Sequence, residues 1–74
     1  MDLNLQKEFL EQLAHTKMPF GKYKDRYLID LPEYYIVWYR RKGFPKGKLG
    51  DQMHTVYELK QNGLEYLVRN IQKL

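Results

Sequence analysis

Seventy-four residues without a single cysteine leave this chain neither a disulfide nor a thiolate metal site, so a hydrophobic core alone must hold it. A core of that size is near the lower limit for an independent domain. It therefore needs large side chains, and the chain has them. Seven Tyr, three Phe and one Trp make 15% of the residues aromatic, and rings bury more area per residue than aliphatic groups. A single domain over residues 1–74 is the expectation.

The run Met18-Pro19-Phe20-Gly21-Lys22-Tyr23-Lys24-Asp25-Arg26-Tyr27-Leu28 sets the expected fold class. It reads as a tight β-hairpin: Met-Pro-Phe enters extended, Gly21 frees the backbone, and Arg26-Tyr27-Leu28-Ile29 returns with strand-like residues. Lys22, Lys24 and Arg26 alternate with Tyr23 and Tyr27, so cations and rings leave a strand on opposite faces.

Elsewhere the period is helical. Asp2 is the expected N-cap of a helix running to about His15, with Leu5, Phe9, Leu10 and Leu13 on one face. Pro32 suits the first turn of a second helix that ends at Lys42, with Gly43 as a left-handed terminator. That helix contains Tyr34-Tyr35-Ile36-Val37-Trp38-Tyr39 and is apolar nearly all round, the pattern of a buried helix. Trp38 is accordingly expected in the core, against the first helix and the hairpin. A third helix is expected from Leu49 to about Asn62, and a fourth from Leu64 to about Gln72 after Gly63. The fold expected is α+β: a small, mostly helical domain of about four helices with one short β-hairpin.

Absent residues narrow the chemistry. There is no Ser and no Cys, and Thr55 beside His54 points to a different helix face, so no nucleophile–base pair is predicted. His15 and His54 are far apart. Asp51 and His54 stand at i, i+3, a pair more often a capping acid beside an exposed His than a metal site. Asp25, Asp30 and Glu33 each occupy a turn or helix start, where an acid has an ordinary structural use. Gly43-Phe44-Pro45-Lys46-Gly47-Lys48-Leu49 falls one residue short of a Walker loop and has Leu where the hydroxyl belongs. It still sets Lys46, Lys48 and free N–H groups before a helix start, where a bare phosphate fits. Catalytic residues, cofactors and metal are all expected to be absent, and the protein is not expected to be an enzyme.

Charge distribution supplies the positive signal. Residues 17–48 carry nine cations against three acids, a net +6 within a chain whose total is +4. Cations on phosphates with rings on bases is the usual grip on single-stranded nucleic acid. Lys22, Tyr23, Lys24, Arg26, Tyr27, Lys46 and Lys48 are the predicted anion surface, with Tyr34 as a further ring. The rival expectation is a protein partner or a homodimer, through the stripe Tyr34, Val37, Arg41 and the apolar last helix. No apolar run approaches the length of a membrane span and no secretion signal opens the chain, so a cytoplasmic protein without membrane contact is expected.

Met18-Pro19-Phe20-Gly21-Lys22-Tyr23-Lys24, Leu31-Pro32 with Tyr35 and Trp38, Lys42-Gly43-Phe44-Pro45 and Gly47-Lys48-Leu49-Gly50 occur in that order. This string resembles a bacterial family of unknown function labelled "putative quorum-sensing-regulated virulence factor", over roughly residues 16–66. The shorter pattern of the Phe-Gly-Lys-Tyr-Lys turn and the Leu-Pro-x-x-Tyr-x-x-Trp helix is similar to tail domains after some bacterial 3′–5′ exonucleases. That similarity implies a nucleic-acid-associated module and carries over no catalytic residue. The family usually has Gly where this chain has Asp25, which keeps the turn but puts a negative charge at its basic tip.

Overall fold

The computed structural model describes residues 6–73. Among them the order is α1 (Lys7–Ala14), a 3-10 turn (Leu28–Asp30), α2 (Glu33–Lys42), α3 (Lys48–Gln61) and α4 (Tyr66–Gln72). The Asp2 cap and Leu5 lie outside the described residues. α1 packs on α4, α2 packs on α3, and the 3-10 turn touches both α1 and α3.

The α+β expectation is corrected: no strand forms among the described residues, and the fold is all-helical. Where the hairpin was expected there is one isolated antiparallel bridge, Lys17 to Tyr27. Three backbone bonds close it: Met18 N–H to Arg26 O (2.7 Å), Asp25 N–H to Met18 O (2.8 Å) and Leu28 N–H to Thr16 O (3.0 Å). The pairing stops there for two reasons. Pro19 has no N–H to donate, and residues 21–26 are consumed by turn bonds, Lys24 N–H to Gly21 O and Arg26 N–H to Tyr23 O. No further strand lies alongside to extend a sheet, and an isolated pair is marginal in water. Leu28 and Ile29 instead enter the 3-10 turn, where both are fully buried. Asp25 holds the turn at φ 72°, a left-handed conformation that Asp tolerates.

The helical bounds agree with the punctuation, but burial does not follow the expected order. α3, not α2, is the central helix. It buries Gly50, Gln52, Met53, Thr55, Val56, Glu58 and Leu59, while the one fully buried side chain of α2 is Ile36. A helix turns about 100° per residue, so Tyr34 and Trp38, two positions either side of Ile36, face away from the core. Tyr34 is 63% exposed and Trp38 50%. Trp38 as a core residue is therefore corrected: it lies on the outer face of α2. Leu10, Leu13 and Ala14 of α1, Met18, Leu31 and Val68 of α4 complete the core. Gly43 ends α2 with φ 107° and ψ 119°, a positive φ but not the αL basin, and its N–H bonds the Tyr39 carbonyl at 2.8 Å.

Polar groups in this core are mostly partnered. Gln52 donates to the Thr16 hydroxyl (3.0 Å), which donates to the Gln12 carbonyl (2.6 Å), fastening the chain where it leaves α1. Gln72 donates to the Ala14 carbonyl at 2.8 Å, so α4 satisfies an end group of α1. The Lys60 ammonium is nearly buried and donates to the Ile29 carbonyl (2.9 Å) and to Glu65 (2.8 Å). Arg69 bridges Asp30 and the same carbonyl, and lies 3.6 Å from Glu65.

This network makes stability depend on pH. The hydrogen bond from Lys60, then the charges of Lys60 and Arg69, hold the Glu65 carboxyl below its ordinary value of 4.5, against the opposing effect of burial. A depressed folded-state pKa contributes stability that is complete above the unfolded value and is lost as pH falls through the folded one. Wild type should therefore lose more of its urea midpoint between about pH 7 and about pH 3 than Glu65→Gln does. Equal losses would mean that the ion pair is solvated away.

Candidate nucleic-acid interface

The segment between α1 and the 3-10 turn folds back onto the outer face of α2. Tyr23 reaches the Tyr35 ring edge-on at 4.7 Å, and the hydroxyls of Tyr23 and Tyr34 share a hydrogen bond. From Tyr35 the rings continue without a break. Tyr35 stacks on Trp38 at 5.8 Å, Trp38 meets Tyr39 at 5.6 Å, Tyr39 meets Phe44 at 5.9 Å, and Phe44 meets His54 edge-on at 6.2 Å. The row thus runs from the loop along α2, across the α2–α3 connection and onto α3. Tyr34, Tyr35 and Trp38 line an open cleft of about 310 Å³.

Cations border the row. Lys22 and Arg26 sit over the Tyr23 ring at 5.4 and 5.6 Å from its centroid, and Lys42 over Trp38 at 5.1 Å. Tyr34 comes i−4 and Lys42 i+4 from Trp38, so the three share one helix face. The hydrogen bond with Tyr23 lowers the Tyr34 hydroxyl below its usual range, helped by the charges of Lys22 and Arg26. The same bond raises Tyr23, and burial raises Tyr35. The positive end of the row is therefore felt by the Tyr34 oxygen.

The predicted surface residues are only partly brought together. Lys22, Tyr23 and Arg26 join the row. Lys24 is exposed at the turn. Tyr27 is turned away to a contact with Lys17, 5.2 Å from its centroid. The side chains of Lys46 and Lys48 are exposed and touch no ring, though Phe44 carries their loop to the end of the row. Sequence reasoning missed Tyr35, Trp38, Tyr39 and Lys42 because it assigned α2 to the core, and Phe44 because it lies in the loop that follows. The signal was present: one face of a buried helix does not need six consecutive large side chains in a chain of this length.

His54 has Glu58 as its acidic neighbour, with Nε2 3.9 Å from Oε1, and that oxygen is buried without a hydrogen bond. Among the described residues no three His, Cys, Asp or Glu side chains are grouped to hold a metal ion, and no helix is long and apolar enough to cross a membrane.

Comparison with known proteins places this chain in a family. The chain is 50% identical over 70 residues to "Uncharacterized protein YpeB" of Escherichia coli K12, spanning 93% of this chain and 97% of that protein. The protein of the same name from Escherichia coli O157:H7 matches equally. No solved structure matches. The family match is wider than the motif string and takes in α1 and most of α4, from residue 6 to residue 71. Spanned from α1 to α4 in this way, the chain belongs to the bacterial family described as "Putative quorum-sensing-regulated virulence factor".

Proposed function

We propose that this protein is a small non-enzymatic module that binds nucleic acid through the outer face of α2 and the loop folded onto it. One observation carries the reading: a continuous row of rings, open to solvent at Trp38 and half-buried at Tyr23, Tyr35, Tyr39 and Phe44, has Lys22, Arg26 and Lys42 seated on it, within a segment of net charge +6. Magnitudes favour an incoming base over the resident cation. An exposed cation–π contact contributes about 0.5–1 kcal/mol, whereas stacking a base on an aromatic side chain contributes about 1–3 kcal/mol. A base that displaces Lys42 from the Trp38 ring also frees that ammonium for a phosphate. Lys24, Lys46 and Lys48 extend the positive field on either side.

The alternative is a protein-interaction or homodimer surface, favoured by the exposure of Phe20, Tyr34, Trp38 and Tyr66. Charge disfavours self-pairing on the α2 face. A two-fold contact there sets the same cationic rim against itself.

Titration with nucleic acid at low salt tests the reading. Binding should weaken with salt at a log–log slope of about −2 to −3, the value for three phosphate contacts. Replacing Lys22, Arg26 and Lys42 together by Gln should flatten that slope. No binding of any DNA or RNA at low salt rejects the proposal, and a light-scattering mass that rises with concentration turns attention to the dimer.

A further inference from the structure

We infer that the occupant of the Tyr34–Tyr35–Trp38 cleft is one unpaired base of a single strand, its face on Trp38 and its flanking phosphates on Lys22 or Arg26 and on Lys42. This rests on the nucleic-acid reading above and narrows it. The cleft presents three rings, and the surface they turn to it is apolar, with the Tyr34 hydroxyl already tied to Tyr23. Such walls cannot read the donor and acceptor pattern on a base edge. They can only cover the face of a planar ring. In a duplex those faces are stacked on their neighbours and out of reach, whereas an unpaired base offers them.

The rim excludes the other ligand that aromatic walls usually take. A methylated ammonium group fits a cage of Tyr and Trp, but Lys22, Arg26 and Lys42 border this one and repel a cation. A planar group carrying negative charge satisfies both the walls and the rim. The cations also stand beyond both sides of the Trp38 position along α2: Lys22 and Arg26 over the ring of Tyr23, whose hydroxyl meets that of Tyr34, and Lys42 one turn after Trp38. A phosphate on each side of the stacked base meets both, and a mononucleotide has one phosphate to offer.

Trp38 is the single tryptophan of the chain, so its emission reports the cleft directly. The experiment titrates the intact protein at low salt with oligothymidylate of about ten nucleotides, with its duplex, and with thymidine monophosphate. Oligothymidylate should quench Trp38 and bind at least about tenfold tighter than either other probe. By anisotropy of labelled oligonucleotide, Trp38→Leu should weaken binding about tenfold with an unchanged salt slope, and Trp38→Phe should retain most of it. Lys42→Gln should instead reduce the slope by about one contact. Circular dichroism of the Leu variant verifies that it is folded. Equal affinity for the duplex or the monophosphate, or a folded Leu variant that binds like wild type, overturns the stacked-strand inference and leaves the basic-surface reading standing. Failure of all three probes to bind overturns the inference, and failure of an RNA oligonucleotide as well overturns the nucleic-acid reading.

Discussion

Gly50→Ala is expected to destabilise the protein by about 2–3 kcal/mol, although alanine is the better helix former by about 1 kcal/mol. Gly50 is the third residue of α3, and the backbone of the preceding loop lies directly on it. A Cβ at this position would stand 1.7 Å from the Pro45 carbonyl oxygen and 2.8 Å from its carbon. Neither distance is a tolerable contact, so loop 43–47 has to lift. Lifting it pulls Phe44 from Tyr39 and His54 and breaks the far end of the aromatic row. Because the obstructing atoms are backbone, no side-chain change at position 45 relieves the overlap. Pro45→Ala in the Gly50→Ala background should therefore not restore the urea midpoint. A single variant as stable as wild type would show that the loop does not pack this way.

Ile36→Ala should cost more, about 3–4 kcal/mol by the usual scale for burying and then deleting a large aliphatic side chain. A chain of this length has roughly 4–11 kcal/mol of total stability, so the loss is a large share of it. Ile36 is the fully buried side chain by which α2 is anchored to the core. Its neighbours Tyr35, Val37 and Tyr39 are half-buried, and Arg40 only lays its guanidinium over Tyr57 at 4.7 Å. Without the anchor, α2 should open before the rest of the fold. Trp38 emission would then change at lower urea than the helical signal of α1 and α3. Ile36→Val, which removes one methyl group, should cost about 1 kcal/mol and keep the two signals coincident. Trp38→Ala should cost less than Ile36→Ala, about 1–2 kcal/mol, since half of that side chain is already in water and only its contacts with Tyr35, Tyr39 and Lys42 are lost. The opposite ranking of Trp38 and Ile36 would restore Trp38 to the core.

Local chemistry made the helices legible. Pro32 and Gly43 bracket α2 to the residue, since one lacks the N–H that a first turn can spare and the other takes the positive φ that ends the helix. Leu10 and Leu13 of α1 are buried as their spacing predicts. The basic segment was legible too, because charge is a sum over residues and needs no geometry. What failed was inference from pattern to neighbour. Lys22 to Tyr27 alternates like a strand, but alternation becomes a strand only where another strand stands ready to pair. Here Pro19 and the turn bonds of residues 21–26 leave one bridge.

Sequence by itself thus determined where each helix starts and stops, which faces are apolar and where positive charge accumulates. These follow from backbone sterics, the helical period and composition, all properties of residues near in the chain. Tertiary structure alone decided which apolar face is covered. α2 and α3 both have enough large side chains to be central, and a core of twelve buried hydrophobic residues among those described has room to enclose only one of them. α3 is enclosed, with α2 against it and the α1–α4 pair and the 3-10 turn completing the core. α2, held by Ile36, is left with Tyr34 and Trp38 in water. That choice turns an apparent core helix into the aromatic face of the candidate site, and it depends on long-range packing that no local pattern encodes.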